Sequence, residues 1–185
     1  MDTKKKILIV IDVQNDFITG CLRNEDAIKH LPNIVNLVKN EKFDETYVTM
    51  DTHNENYFDT LEGKKLPVKH CIKGTNGWEM PTEFKDTLYE NQNVVQVFEK
   101  STFGSTWMSK FLLASVDSDY KHKEDYEFTF VGYCSDICVV SNALMLRAHL
   151  PNSKIVVRKD CTAGVTPETH EAAIKTMEMC QIEVI

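Results

Sequence analysis

Residues 7–17 read Ile-Leu-Ile-Val-Ile-Asp-Val-Gln-Asn-Asp-Phe, and this stretch decides the fold. Ile7–Ile11 is an unbroken run of Ile, Leu and Val. A strand with one wet face alternates apolar and polar residues, whereas an unbroken apolar run suits a strand buried on both faces, as in a parallel sheet. The run stops at Asp12, which puts a carboxylate at the carboxyl end of that strand.

The rest of the chain alternates in the same sense. Glu25 to Asn40 carries Ala27, Ile28, Leu31, Ile34, Val35, Leu37 and Val38 at helical spacing. Thr46–Met50, Val94–Phe98, Phe128–Gly132, Lys154–Val157 and Ile182–Ile185 read as further strands. Between them, Pro81–Glu90, Thr106 to about Val116, Asp136–His149 and Pro167–Cys180 read as helices, two of them with proline in the first turn. Strand–helix alternation of this kind predicts an α/β fold, a three-layer arrangement with a mostly parallel central sheet and helices on both faces. Residues 1–185 read as one domain, without repeat or linker. The longest irregular stretch runs from Asp51 to about Met80, and loops that long in a compact domain are usually functional.

Composition narrows the function. The chain has 185 residues, 42% hydrophobic and 26% charged, enough for a packed core and too apolar for a disordered chain. With 21 Lys+Arg against 28 Asp+Glu its net charge is −7, which argues against gripping nucleic-acid phosphates or an anionic membrane surface. Lys4-Lys5-Lys6 followed by five apolar residues is too short for a secretory leader, and no stretch approaches a membrane span, so the expected location is cytoplasmic. The six cysteines are scattered, which points to buried or reactive thiols and away from a disulfide framework.

Open α/β sheets bind ligands at the carboxyl ends of their strands. Asp12 follows the first strand, Asp51 and His53 the second, Lys100 the third, Cys138 the fourth and Asp160 the fifth. Free cysteine is most often a small buried hydrophobe, so the convergence carries more weight than any one residue. Ser135 reads as the N-cap of the following helix, which puts Cys138 at the third helical position, where backbone N–H groups favour a thiolate and can hold an oxyanion. A Lys100 ammonium nearby would lower the thiol pKa further, and Asp12 could accept and return a proton. Asp51 and His53 are two apart, so on an extended segment they face one way. His70 lies further along the same loop, with Asp59 and Glu62 between, a donor set suited to one divalent metal ion: Zn, Fe or Mn. His30, His122, His149 and His170 read as surface residues.

In order along nearly the whole chain, Ile11–Phe17, Asp51-Thr-His53, Lys69-His70-Cys-Ile-Lys-Gly-Thr75, Phe98-Glu-Lys100-Ser and Gly132-Tyr-Cys-Ser-Asp-Ile-Cys138-Val resemble the motifs of the isochorismatase-like cysteine hydrolases, and within them the nicotinamidases. The resemblance implies a catalytic triad of Asp12, Lys100 and Cys138. It implies an oxyanion hole from the backbone of Cys134 and Cys138, after a cis Tyr133–Cys134 peptide. It implies a metal held by Asp51, His53 and His70, with Glu62 as the best match to a further ligand. Phe17, Phe103 and Tyr133 match pocket positions. Relatives often carry a Trp shortly before the second metal histidine, where this chain has Leu66, Pro67, Val68 and Lys69. The implied activity is hydrolysis of a small-molecule amide through a cysteine thioester, foremost nicotinamide to nicotinic acid and ammonia, in NAD salvage. The implied assembly is a homo-oligomer. Two other readings stay open: a carbamoyl or ureido hydrolase of the same superfamily, and a non-catalytic metal- or thiol-binding member.

Overall fold

Ile7, Ile9 and Ile11 point into one core layer and Leu8 and Val10 into the other, as an apolar run buried on both faces requires. The computed structural model describes residues 4–117 and 126–185. Strand β1 (Lys5–Ile11) lies between β2 (Glu45–Asp51) and β4 (Tyr126–Tyr133). Outside β2 lies β3 (Val94–Lys100), and outside β4 lie β5 (Lys154–Ala163) and the short β6 (Glu183–Val184). The order is β3-β2-β1-β4-β5-β6 and every pairing is parallel.

Helices cover both faces. One core layer is built on α5 (Thr106–Asp117), α6 (Val140–His149) and α7 (Pro167–Met179), through Met108, Leu112, Leu146 and Ile174. The other holds α1 (Asn15–Ile18), α2 (Glu25–Asn40) and α4 (Thr82–Asn91), through Phe17, Ile34, Leu37, Phe84 and Leu88. Each such buried side chain contributes roughly 1.5–3 kcal/mol. In α2 the Asn24 side chain caps the start by accepting from the Ala27 N–H, and the helix runs on through Pro32 because Ala27, Ile34, Leu37 and Val38 are buried. Pro167 opens α7 behind a Thr166–Thr169 capping box.

Gly132 has φ +116°, and a Cβ there would collide with the Ile11 carbonyl oxygen. Glycine thus lets the ends of β1 and β4 close together, which sets Asp12 beside the segment after β4. Among the described residues no helix is long and apolar enough to cross a membrane, and every described cysteine is free.

The structure corrects several expectations. Strand β5 continues to Ala163 past an irregularity in its pairing with β4, so Asp160 lies inside the strand, exposed and paired with Arg158, away from the strand-end cluster. The helix expected at Asp136–His149 begins as a π-helical turn, Ser135–Val139, before α6. Its cap position is Cys134, so Ser135 is inside the turn and Cys138 is its fourth residue. The 51–80 stretch holds a 3-10 turn at Tyr57–Asp59 and α3 (Leu61–Lys65), and α1 was also unforeseen. Such elements are too short to show a period. His30 and His170 are half-buried: His30 Nδ1 lies 2.6 Å from the Thr162 carbonyl oxygen, and His170 Nδ1 lies 2.7 Å from Ser135 Oγ. His122 lies outside the described residues.

Candidate active site

Four neighbouring strands deliver the reactive groups. Asp12 follows β1, Asp51 and Lys100 end β2 and β3, and Cys138 lies in the turn after β4. Lys100 Nζ lies 2.6 Å from Asp12 Oδ2, 3.5 Å from Cys138 Sγ and 3.7 Å from Asp51 Oδ1. All four residues are buried. Asp12 sits at φ +48°, a left-handed conformation that Asp tolerates better than most side chains. Its backbone and carboxylate are pinned to one residue of β2: its N–H donates to the Thr49 carbonyl, and Thr49 Oγ1 donates to Oδ1 at 2.7 Å.

Burial sets the electrostatics. It raises Asp12, helped by the Asp51 charge and opposed by Lys100. Burial alone would lower Lys100, but Asp12, Cys138 and Asp51 together hold it above its ordinary value. Burial also raises the Cys138 thiol well above its ordinary value, and Asp12 adds to this, against the pull of Lys100. The expected lowering of the thiol by Lys100 and the helix start is therefore overridden. The resting ensemble is a thiol, an ammonium and a carboxylate more basic than an exposed one.

The second cluster faces the first across Asp51. Donor atoms of Asp51, His53 and His70 lie within 4.8 Å of one another. Asp51 Oδ2 is 3.1 Å from His53 Nε2 and 3.3 Å from His70 Nε2. Glu62 Oε1 lies 3.7 and 3.5 Å from the same two nitrogens. His70 Nδ1 lies 2.9 Å from the Val68 carbonyl, so in its neutral form it donates there and turns the Nε2 lone pair inward. His53 Nε2 is buried and makes no aligned hydrogen bond. Two carboxylates and two inward imidazole nitrogens call for positive charge. Burial pushes His70 down, yet the Asp51 and Glu62 carboxylates lift it to about 10. The same imidazoles and Lys100 outweigh burial at Asp51 and hold it well below the usual carboxylate range.

Side chains that the sequence reading missed hold this cluster in place. Gln14 is wholly buried. Its amide donates to the Asp51 and Trp78 carbonyls at 2.8 Å, and its oxygen accepts from the Asp51 N–H at 2.7 Å. Asp16 Oδ2 accepts from the N–H of Cys71, the residue after His70, at 2.7 Å. The Tyr57 ring packs edge-on against both His53 and His70, at 4.8 and 5.1 Å. Gln14 and Asp16 lie within residues 7–17, but only three-dimensional contact reveals their partners.

The expected pocket residues divide. Phe17 is buried and meets the His70 ring edge-on at 5.8 Å. Phe103 is 48% exposed, and its carbonyl accepts from the Asn142 amide at 3.2 Å. Tyr133 does not line the site: its ring is wholly buried in the layer with Val131, and its hydroxyl donates to the Ala27 carbonyl. Strand alternation places it on that face. Cys134 follows it through a cis Tyr133–Cys134 peptide. The Cys134 carbonyl accepts from the N–H groups of Ile137 and Val139, which closes the turn around Cys138. Trp78 is another missed aromatic: its indole N–H donates to Thr52 Oγ1 at 2.9 Å, beside Asp51 and His53.

Known proteins match this chain over most of its length. An isochorismatase family protein PncA from Bacillus subtilis is 29% identical over 177 residues, 92% of each chain. A nicotinamidase from Schizosaccharomyces pombe is 25% identical over 209 residues, 96% of this chain and 91% of the other. The crystal structure of the nicotinamidase/pyrazinamidase PncA from Bacillus subtilis superposes with a TM-score of 0.75 at 25% identity, covering 97% of this chain and 98% of that one. A pyrazinamidase from Pyrococcus horikoshii, solved in complex with zinc, shares the fold with a TM-score of 0.71 at 21% identity, covering 98% of both chains. The isochorismatase domain model itself matches residues 6–185, and the chain belongs to that family.

Proposed function

We propose that this protein is an amide hydrolase that cleaves nicotinamide to nicotinic acid and ammonia through a Cys138 thioester. One observation carries the reading: a buried Lys100 ammonium touches both Asp12 Oδ2 and Cys138 Sγ and reaches Asp51, which also belongs to a four-residue donor cluster. Nicotinamidase relatives named above support the substrate.

Asp12 takes the Cys138 thiol proton as the sulfur attacks the amide carbonyl carbon. Its raised pKa makes it a stronger base than an exposed carboxylate. Lys100 stays charged beside the sulfur and stabilises the negative charge as it forms. Backbone N–H groups of Cys134 and Cys138 receive the oxyanion. Asp12 then gives its proton to the leaving nitrogen, the C–N bond breaks and ammonia departs. Asp12 next takes a proton from water, whose oxygen attacks the thioester carbon. The C–S bond breaks, the sulfur recovers its proton and the carboxylic acid leaves. Asp51, His53, His70 and Glu62 fit a divalent cation, because the His53 nitrogen is orphaned and the donor set is anionic. Such a cation would supply a Lewis-acidic position for the pyridine ring nitrogen, and with nicotinamide as substrate the reaction serves NAD salvage.

The test is ammonia release from nicotinamide by zinc- or manganese-loaded protein, with Cys138→Ala alongside. Release is expected from the parent, with a loss on the order of a thousandfold or more in the variant. Turnover near the parent value in a folded Cys138→Ala protein removes the nucleophile assignment. No release from a parent whose Cys138 is alkylated by iodoacetamide moves the substrate to another small amide.

A further inference from the structure

The nucleophile turn is also held by contacts that the mechanism above does not use. Ser135 opens the turn and is wholly buried, and its Oγ lies 2.7 Å from Nδ1 of His170, near the start of α7. The next residue, Asp136, accepts the Val165 N–H on both carboxylate oxygens, at 3.0 and 3.2 Å. Gly164 permits this approach, since a Cβ there would sit 2.8–2.9 Å from His170 atoms. His170 is half-buried and lines an open groove of about 420 Å³ together with Lys29, His30, Lys159, Asp160 and Glu171. No residue of the triad or of the donor cluster lines that groove. One end of the Ser135–His170 contact is therefore sealed inside the fold, and the other borders solvent.

We propose that His170 is a positioning residue: as a neutral imidazole accepting the Ser135 hydroxyl hydrogen, it fixes the turn that carries Cys134 and Cys138. The proposal deepens the amide-hydrolase reading and rests on it for its kinetic arm. A neutral imidazole offers one acceptor nitrogen, and a buried hydroxyl left without a partner has no water to turn to. Protonation makes Nδ1 a donor, and the hydroxyl hydrogen must then leave the line between the two groups. The groups facing His170 are Glu171 on its own helix, Lys159 on β5, His30 on α2 and Asp136 in the turn. Burial, Lys159 and His30 lower its pKa, and the acids only partly offset this, so the neutral form prevails at pH 7.

The experiment compares the parent with His170→Ala and His170→Asn, whose Oδ1 can accept in place of Nδ1. His170→Ala should lower kcat roughly tenfold with KM nearly unchanged, because the reacting groups shift while the substrate contacts remain. His170→Asn should recover most of kcat. The parent should lose activity below pH 6.5 as Nδ1 takes up a proton, and His170→Asn should lack that step. Amide hydrogen exchange over residues 134–139 should quicken in His170→Ala and stay at the parent rate in His170→Asn. Unchanged kcat and exchange in folded His170→Ala overturn the proposal, and so does a change in KM alone or an Asn variant as impaired as Ala. If the parent hydrolyses no amide, the substrate reading fails by itself, and the exchange comparison still decides the role of His170.

Discussion

The triad and the donor cluster meet where Lys100 reaches Asp51, but they are built in opposite ways. Asp12, Lys100 and Cys138 stand at or just past the ends of β1, β3 and β4, so the sheet itself sets their spacing. His53, Glu62 and His70 come from the stretch between β2 and α4, and their places depend on side chains such as Gln14, Asp16 and Tyr57. A site on strand ends cannot be disturbed without disturbing the sheet. A site on a loop can be lost while the fold survives.

Lys100→Ala should separate the two most strongly. It removes the cation from buried Asp12 and Asp51, and breaking a buried pair of this kind costs about 3–5 kcal/mol. Denaturant unfolding should show that loss together with loss of turnover. His70→Ala should instead abolish zinc or manganese binding and leave the urea midpoint close to that of the metal-free parent, and dialysis of the parent against a chelator should leave it folded. If chelation unfolds the protein, the contrast between the regions collapses.

A smaller effect sharpens the comparison. Asp16→Asn keeps the shape but weakens the acceptor for the Cys71 N–H, with an expected cost of about 1 kcal/mol and reduced metal affinity by calorimetry. Equal metal affinity in that variant would show that the loop holds its shape without Asp16. Smallest in size is a pH effect confined to the triad. Asp12 must be ionised to act as base, and burial raises its pKa, so kcat/KM should fall on acidification at a pH above the ordinary carboxylate value of 3.8. Stability follows the opposite sign for this group. The stability favoured by its protonated form is full at low pH and lost as pH rises through the folded pKa. Lys100, also raised, contributes stability that is present below 10.5 and lost above its folded pKa.

The sheet was readable because its signal is local: Ile7–Ile11 has no polar residue, and a strand buried on both faces demands that. The residues at the strand ends were readable for the same reason, since a chemical group directly after an apolar run has a known place. Asp160 misled because β5 continues beyond its apolar start through Arg158, Lys159 and Asp160 before Cys161 returns to the core. Tyr133 misled because motif position does not tell which way a side chain faces. Ser135 misled because its hydroxyl met a histidine 35 residues away in place of the helix start. Gln14, Asp16 and Thr49 were hidden because their roles exist only between elements distant in sequence.

The strand order has a bearing on refolding. The neighbours β3, β2, β1 and β4 supply Lys100, Asp51, Asp12 and, just beyond β4, Cys138, gathered from across 127 residues of chain, from 12 to 138. No single hairpin or βαβ unit brings them together, and parallel pairings of this range form late because loop closure opposes them. Recovered enzymatic rate is therefore a strict clock for completion of the sheet. After dilution from denaturant it should lag behind the far-ultraviolet circular dichroism signal of the helices.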